Sequence, residues 1–176
     1  MELRRNVGAR ECLSVEFSVR PDLNTPTNEW WGTICLWIDH ICVGNPNEVE
    51  MVSVGLGSLA HTAQHTGSRV SSALSSRSAT EALESVVQAI YGEEGLEWLS
   101  AEEASKFEVL SSAAGPSFDN WEAILLEQGQ FERFIYRREG HPVCEARWKL
   151  GTFKEISLGA WAELKSLAPL LPDTIQ

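Results

Sequence analysis

The stretch Trp30-Trp31-Gly32-Thr33-Ile34-Cys35-Leu36-Trp37-Ile38-Asp39-His40-Ile41-Cys42-Val43-Gly44 constrains this chain more than any other. Residues 31–38 are dense in β-branched and aromatic side chains, Asp39-His40 is a two-residue break, and residues 41–43 are apolar again, the pattern of a β-hairpin. Gly44-Asn45-Pro46-Asn47 then stops the second arm. Thr33, Cys35 and Trp37 share one face of the first arm, and Ile34, Leu36 and Ile38 the other. A strand apolar on both faces is expected at the centre of a sheet covered from both sides, so Ile34, Leu36 and Trp37 are predicted to lie deep in the core. Asp-His is not the Asn-Gly or Asp-Gly favoured in such turns, so His40 has to adopt a left-handed or adapted geometry.

Around this hairpin the periodicity alternates between strand and helix. Residues 1–11 are polar and partly basic, the composition of a frayed end. Residues 12–19 alternate, with Leu13, Val15, Phe17 and Val19 on one side and Ser14, Glu16 and Ser18 on the other. Two prolines make residues 20–28 a loop. A short strand is expected around residues 50–54. From Leu56 the spacing becomes helical through Leu59, Ala60 and Ala63, with a start near Gly57; this helix either runs to about Ser75 or breaks at Thr66-Gly67-Ser68. Ser68–Thr80 is serine-rich. Ser78-Ala79-Thr80-Glu81 is a capping box that opens an amphipathic helix with Leu83, Val86, Val87, Ile90 and Tyr91 as its stripe, ended by Gly92.

Residues 93–105 read as irregular and acidic, anchored by Leu96, Trp98 and Leu99. Residues 107–110 form a short strand and 111–119 a loop. Residues 121–126 and 131–136 make a second hairpin about Glu127-Gln128-Gly129-Gln130. Residues 143–150 alternate, with Cys144, Ala146, Trp148 and Leu150 inward. Thr152-Phe153-Lys154-Glu155 repeats the capping-box pattern before a last helix faced by Phe153, Ile156, Ala160, Leu164, Leu167 and Leu171, which Pro169 and Pro172 bring to an end. Strands joined by turns, with helices in two blocks, define an α+β fold on a largely antiparallel sheet. Its 176 residues fit one domain, 1–176, with a core of about 12–171.

Charge and motif content narrow the function. A net charge of −11 argues against nucleic acid and anionic membranes as partners and suits a basic protein. No apolar run is long enough to span a bilayer, and the start lacks the apolar stretch of a secretory signal, so a cytoplasmic protein is expected. Cys12, Cys35, Cys42 and Cys144 are widely spaced, as reduced buried thiols would be. His61 and His65 have the i, i+4 spacing of a metal pair, but Thr62 stands where HExxH has Glu, and both lie opposite the apolar face. His40 and His141 have no local partner. Gly55-Leu56-Gly57-Ser58 lacks the phosphate-loop pattern and reads as a strand-to-helix turn. No motif indicates catalysis, a metal or a cofactor. The unusual surface feature is acidic: from Glu81 to Glu108 there are eight Glu and only Lys106 to offset them. A solvated face is one reading. The other is a docking surface in which Glu93, Glu94, Glu97, Glu102 and Glu103 surround Trp98 as anchor.

The hairpin of residues 31–44 resembles that of the immunity protein 42 family, from bacterial polymorphic-toxin and contact-dependent inhibition systems. There an aromatic-rich strand ends in Trp-Ile, followed by a tight turn and Ile-Gly or Val-Gly. Phe118-Asp119-Asn120-Trp121-Glu122-Ala123-Ile124-Leu125-Leu126-Glu127, then Glu132-Arg133-Phe134-Ile135-Tyr136-Arg137, is similar too, as is a closing strand through Gly151 to Phe153. The similarity spans roughly residues 12–165 and rests on structural residues; the Asp39-His40 turn and the segment 68–78 depart from it. It implies an intracellular, non-catalytic inhibitor that protects its cell by binding a toxin domain, as a monomer or homodimer. Many such toxins are nucleases and therefore basic. The rival readings are a small-ligand-binding or enzymatic α+β domain, which needs a concave pocket with converging polar groups, and an oligomeric adaptor.

Overall fold

The computed structural model describes residues 2–23, 29–93, 95–110 and 114–167. Two antiparallel sheets organise them. The first runs β1 (Leu3–Gly8), β2 (Leu13–Val19), β3 (Trp31–Ile38), β4 (Ile41–Val43), with β5 (Glu50–Met51) also paired to β3. The second runs β6 (Glu108–Leu110), β7 (Trp121–Gln128), β8 (Phe131–Arg138), β9 (Cys144–Lys149). The helices are α1 (Val52–Ala63), α2 (Ser72–Ser75), α3 (Ala79–Tyr91), α4 (Ala101–Ser105) and α5 (Thr152–Ser166). This is the expected α+β arrangement.

The first hairpin is central to its sheet, between β2 and the β4/β5 edge, and its turn is left-handed at both residues, with φ of 47° at Asp39 and 68° at His40. The turn amides explain why Asp-His is tolerated: Asp39 N donates to Cys12 O (3.1 Å) and His40 N to Arg10 O (2.7 Å). The neighbouring hairpin thus fixes a geometry that the side chains alone do not favour. Close approach is set by Gly32, where a Cβ would stand 1.8 Å from the carbonyl oxygen of Ser18.

Burial on that hairpin corrects one expectation. Ile34, Leu36 and Ile38 are fully buried, but Trp37 is only half-buried. Its indole Nε1 donates to Glu16 Oε2 (2.9 Å) and the Arg10 guanidinium lies over its ring at 4.1 Å, so polar groups, not core, cover this outer face. The sheet buried on both sides is the second one. Ala123, Leu125, Phe134, Tyr136, Ala146 and Trp148 join the core that α1 and α5 form with β2 and β3. Ile124, Leu126 and Ile135 face the opposite way, into a core with α2, α3 and α4.

Several boundaries differ from those expected. Residues 3–8 are not frayed: Leu3 and Val7 are half-buried on β1, which pairs with β2 and carries α5 against it. The strand near residue 50 ends at Met51, and α1 begins at Val52 rather than Gly57, so residues 55–58 are helix and not a turn. Gly55 allows this helix to press on the backbone, since a Cβ there would be 3.0 Å from Ala114 O. The helix stops at Ala63, and Gly67, at φ 95°, makes the break. Leu150 is exposed and Cys144 only half-buried, so the inward set of β9 is Ala146 and Trp148. The four cysteines are free, and Cys35 alone among them is fully buried. Leu171, Pro169 and Pro172 lie outside the described residues, as does most of the 20–28 loop.

The Ser78–Glu81 capping box is present on α3. The one proposed for α5 is not: Gly151 is the N-cap, with φ of 89° and no side-chain cap, so residues 151–153 are a helix start and not strand. The missing acceptor comes from β8. Glu132, fully buried, accepts from Gly151 N (2.9 Å), Phe153 N (2.9 Å) and Trp148 Nε1 (2.6 Å). Opposite it in the ladder, Glu127 takes Gly67 N on both oxygens at 2.8 Å. Two buried carboxylates face to face repel. The buried Arg69 is set against them, with Nη1 4.0 Å from Glu127 Oε1, Nε donating to Lys106 O (2.8 Å) and Nη2 to Thr62 O.

Candidate functional site

The acidic segment links α3 to α4. Its base is α3, which buries Ala82, Leu83, Val86 and Ala89 against the second sheet. The helix is rotated from the expected stripe: Val87 and Ile90 are half-buried and Tyr91 is 63% exposed. At Gly92 the chain turns extended, with Gly92 N donating to Gln88 O (2.9 Å). Leu96 and Leu99 then form a one-pair bridge that lays both leucines on the α3 core and leaves Glu97 and Trp98 at its tip. Trp98 is 41% exposed, so it does not anchor the segment inward as its leucine neighbours do.

The segment is less irregular than its composition suggests. Ser100 caps α4 by accepting from Glu103 N (3.2 Å), and Glu102 and Glu103 occupy the first turn, where the helix end favours negative charge. Glu93, Glu97, Glu102 and Glu103 are all exposed and flank Trp98 on one continuous stretch; Glu94 lies outside the described residues.

Sequence order hides the cations nearby. The Arg77 guanidinium covers the Trp98 ring at 4.4 Å. Arg137, delivered by β8, binds Glu122 (2.6 Å) and approaches Glu84 (3.7 Å). A groove of about 500 Å³ along α3 is lined by Arg77, Glu81, Glu84, Gln88, Leu96 and Arg137. The eight-to-one acid excess is therefore softened beside α3 and by Arg77 at Trp98, while Glu93, Glu97, Glu102 and Glu103 form no salt bridge among the described residues. Only pairing across β7 and β8 brings Arg137 here, which residue spacing cannot reveal.

Two further concavities are formed at other seams. One, of about 500 Å³, lies where the β4–β5 connection meets the β6–β7 loop, with Glu48, Asp119, Trp121 and Arg138 on its walls. The other, of about 260 Å³, lies beside the C-terminus of α3. His61 and His65 are both exposed, with rings edge-on at 5.4 Å. No group of three His, Cys, Asp or Glu among the described residues is arranged to hold a metal ion. No helix among them is long and apolar enough to cross a membrane.

This is an α+β protein that presents an acidic, tryptophan-tipped segment on a doubly packed sheet. The chain belongs to the family described as Immunity protein 42, whose family model matches residues 3–163. Among solved structures it is similar to CdiI from Burkholderia dolosa AUO158, with a TM-score of 0.69 and 13% identity over 90% of this chain and 99% of that one. At that identity the likeness is one of fold. No curated protein matches the chain.

Proposed function

We propose that this chain is a cytoplasmic, non-catalytic inhibitor that binds and neutralises a cognate toxin domain. Membership in the Immunity protein 42 family carries this reading, and the shared fold with a CdiI supports it. The toxin is basic, because a net charge of −11 favours a positively charged partner over nucleic acid itself; that it is nuclease-like is what the resemblance to the family implies. The contact is centred on Glu93, Glu94, Glu97, Glu102 and Glu103 around Trp98. What supports this choice is an exposed acidic run with a large aromatic at its tip. The carboxylates steer the encounter, and Trp98 holds the complex once formed.

Binding kinetics with the cognate toxin domain test the reading. Reversing Glu93, Glu94 and Glu97 to Lys should slow association about ten-fold or more at low salt. The effect should shrink as the Debye length falls from about 10 Å at 0.1 M to about 3 Å at 1 M. Trp98→Ala should instead speed dissociation. An unchanged association rate at low salt in a folded triple variant makes the segment a solvated face and moves the interface to the Gln128-Gly129 hairpin tip and the 137–142 loop.

A further inference from the structure

The cleft of about 260 Å³ beside α3 has a chemistry that the acidic segment does not share. Tyr91, Phe118 and Trp121 supply its aromatic lining, and Glu108, Leu110, Asp119 and Glu122 complete it. Tyr91 Oη donates to Glu108 Oε1 at 2.6 Å. Burial raises the Glu108 carboxyl above its ordinary value, and burial together with the Glu108 hydrogen bond pushes the Tyr91 hydroxyl up to about 12. Glu122 already holds Arg137. Among the described residues, no cation forms a salt bridge with Glu108 or Asp119. A half-buried carboxyl beside aromatic side chains, whose hydrogen-bond donor among the described residues is the Tyr91 hydroxyl, is stabilised most by a cation that can also stack.

The same chain shows that pairing filled elsewhere. On the outer face of the first sheet, Arg10 lies over Trp37 at 4.1 Å and donates to Glu16, which also takes the Trp37 indole N–H. Arg77 covers Trp98 at 4.4 Å. Tryptophan, carboxylate and guanidinium thus combine at Trp37, whereas Trp121 and Glu108 line one cleft and, among the described residues, no cation lies over the Trp121 ring or pairs with Glu108; Arg137 is held by Glu122. The cleft is smaller than the roughly 300–1,000 Å³ of ordinary small-molecule sites, and one long side chain suits it better than a metabolite. A planar guanidinium matches both the ring faces and the forked carboxylate, which a lysine ammonium does not.

We infer that this cleft, lined by Tyr91, Trp121 and Glu108, seats an arginine side chain of the toxin. This rests on the toxin-binding reading and adds a second, desolvated contact next to the steering segment, since Tyr91 closes the helix from which Glu93 follows. The steering carboxylates set the association rate, and the cleft adds to the lifetime that Trp98 gives the complex.

The test begins without the toxin. The full chain is titrated with Nα-acetyl-arginine methylamide, with the matching lysine amide and with the neutral citrulline amide, and backbone and indole NMR resonances are followed. The arginine amide should shift the Trp121 indole and the Tyr91 amide saturably, bind several-fold tighter than the lysine amide, and leave the citrulline amide without effect. Glu108→Gln should weaken it about ten-fold, the loss of one charge-assisted hydrogen bond. Tyr91→Phe keeps the ring and frees the carboxyl from its hydroxyl, so binding should tighten; weaker binding in a folded Tyr91→Phe variant overturns the inference. Equal shifts from citrulline and arginine, or no change on Glu108→Gln in a folded variant, overturn the inference. In the toxin complex, Glu108→Gln should raise the dissociation rate about ten-fold; an unchanged rate overturns the cleft while leaving the toxin reading intact. Capture of the arginine amide by a chain that forms no toxin complex overturns the toxin reading instead, and with it the toxin as the source of the arginine.

Discussion

Replacing Glu132 by alanine should be among the most damaging single changes in this protein. The carboxylate is fully buried on β8 and accepts from Gly151 N, Phe153 N and Trp148 Nε1 at 2.6 to 2.9 Å. Alanine leaves three donors without an acceptor, each costing about 1–3 kcal/mol when buried. Two terms offset part of that loss. The repulsion from Glu127, directly opposite in the ladder, is relieved, and Gly151, half-buried, can reach water. The net cost should be about 3–5 kcal/mol, against a typical total of about 5–15 kcal/mol. Glu132→Gln keeps one acceptor oxygen but turns an amide N–H₂ toward donors, and should cost about 2–3 kcal/mol. Urea unfolding followed by circular dichroism measures both. Hydrogen exchange at the Gly151 and Phe153 amides should rise before global unfolding in the glutamine variant, because the start of α5 loosens first. A cost below about 1 kcal/mol for the alanine variant would show that Glu132 is not the cap of α5.

The buried cation gives a second expectation. Arg69→Ala leaves Glu127 and Glu132 facing each other without their counter-charge and should cost about 3–5 kcal/mol in the same urea assay; a near-neutral result would mean that the two carboxylates do not need it. The third concerns pH. Burial raises the Glu50 carboxyl above its ordinary value of 4.5, although Ser117 N donates to it at 2.8 Å. Between that value and the raised one, the folded chain keeps a proton that the unfolded chain has released, so this group lowers stability as pH rises. Glu50→Gln carries no such proton, and its stability relative to the parent should climb through that window and level off above it. A difference that stays constant from about pH 4 to pH 8 would refute the assignment.

Much of the fold was legible because it follows from local periodicity. The residue alternation in β2 and the capping box of α3 act within a few positions, where side-chain spacing and backbone preference decide the outcome; the spacing after Leu56 leaves open whether its helix runs on or breaks, and the helix stops at Ala63. What could not be read depends on partners far away in sequence. Trp37 shares its strand with true core residues, yet Glu16 and Arg10, brought over from the neighbouring hairpin, hold it half-buried. Thr152-Phe153-Lys154-Glu155 has the composition of a capping box, but Glu132 from another strand already satisfies those amides. Arg69 and Glu127 look like surface charges in a polar stretch; only the close packing of the 67–69 segment on β7 buries them. At the site, the acidic run and Trp98 are plain in sequence, while Arg77, Arg137 and the Tyr91–Glu108 cleft arise from α3 lying against the second sheet.

The function proposed for this chain is to hold a toxin domain. Isothermal titration of the purified chain with its cognate toxin domain, paired with growth of cells expressing that toxin alone or with this chain, is the test. Expected are saturable binding at nanomolar or tighter affinity, loss of toxicity when both are present, and recovery of unmodified, still toxic protein when the complex is dissociated. No heat of binding together with undiminished toxicity would contradict it, as would protection that persists only because the toxin has been chemically altered.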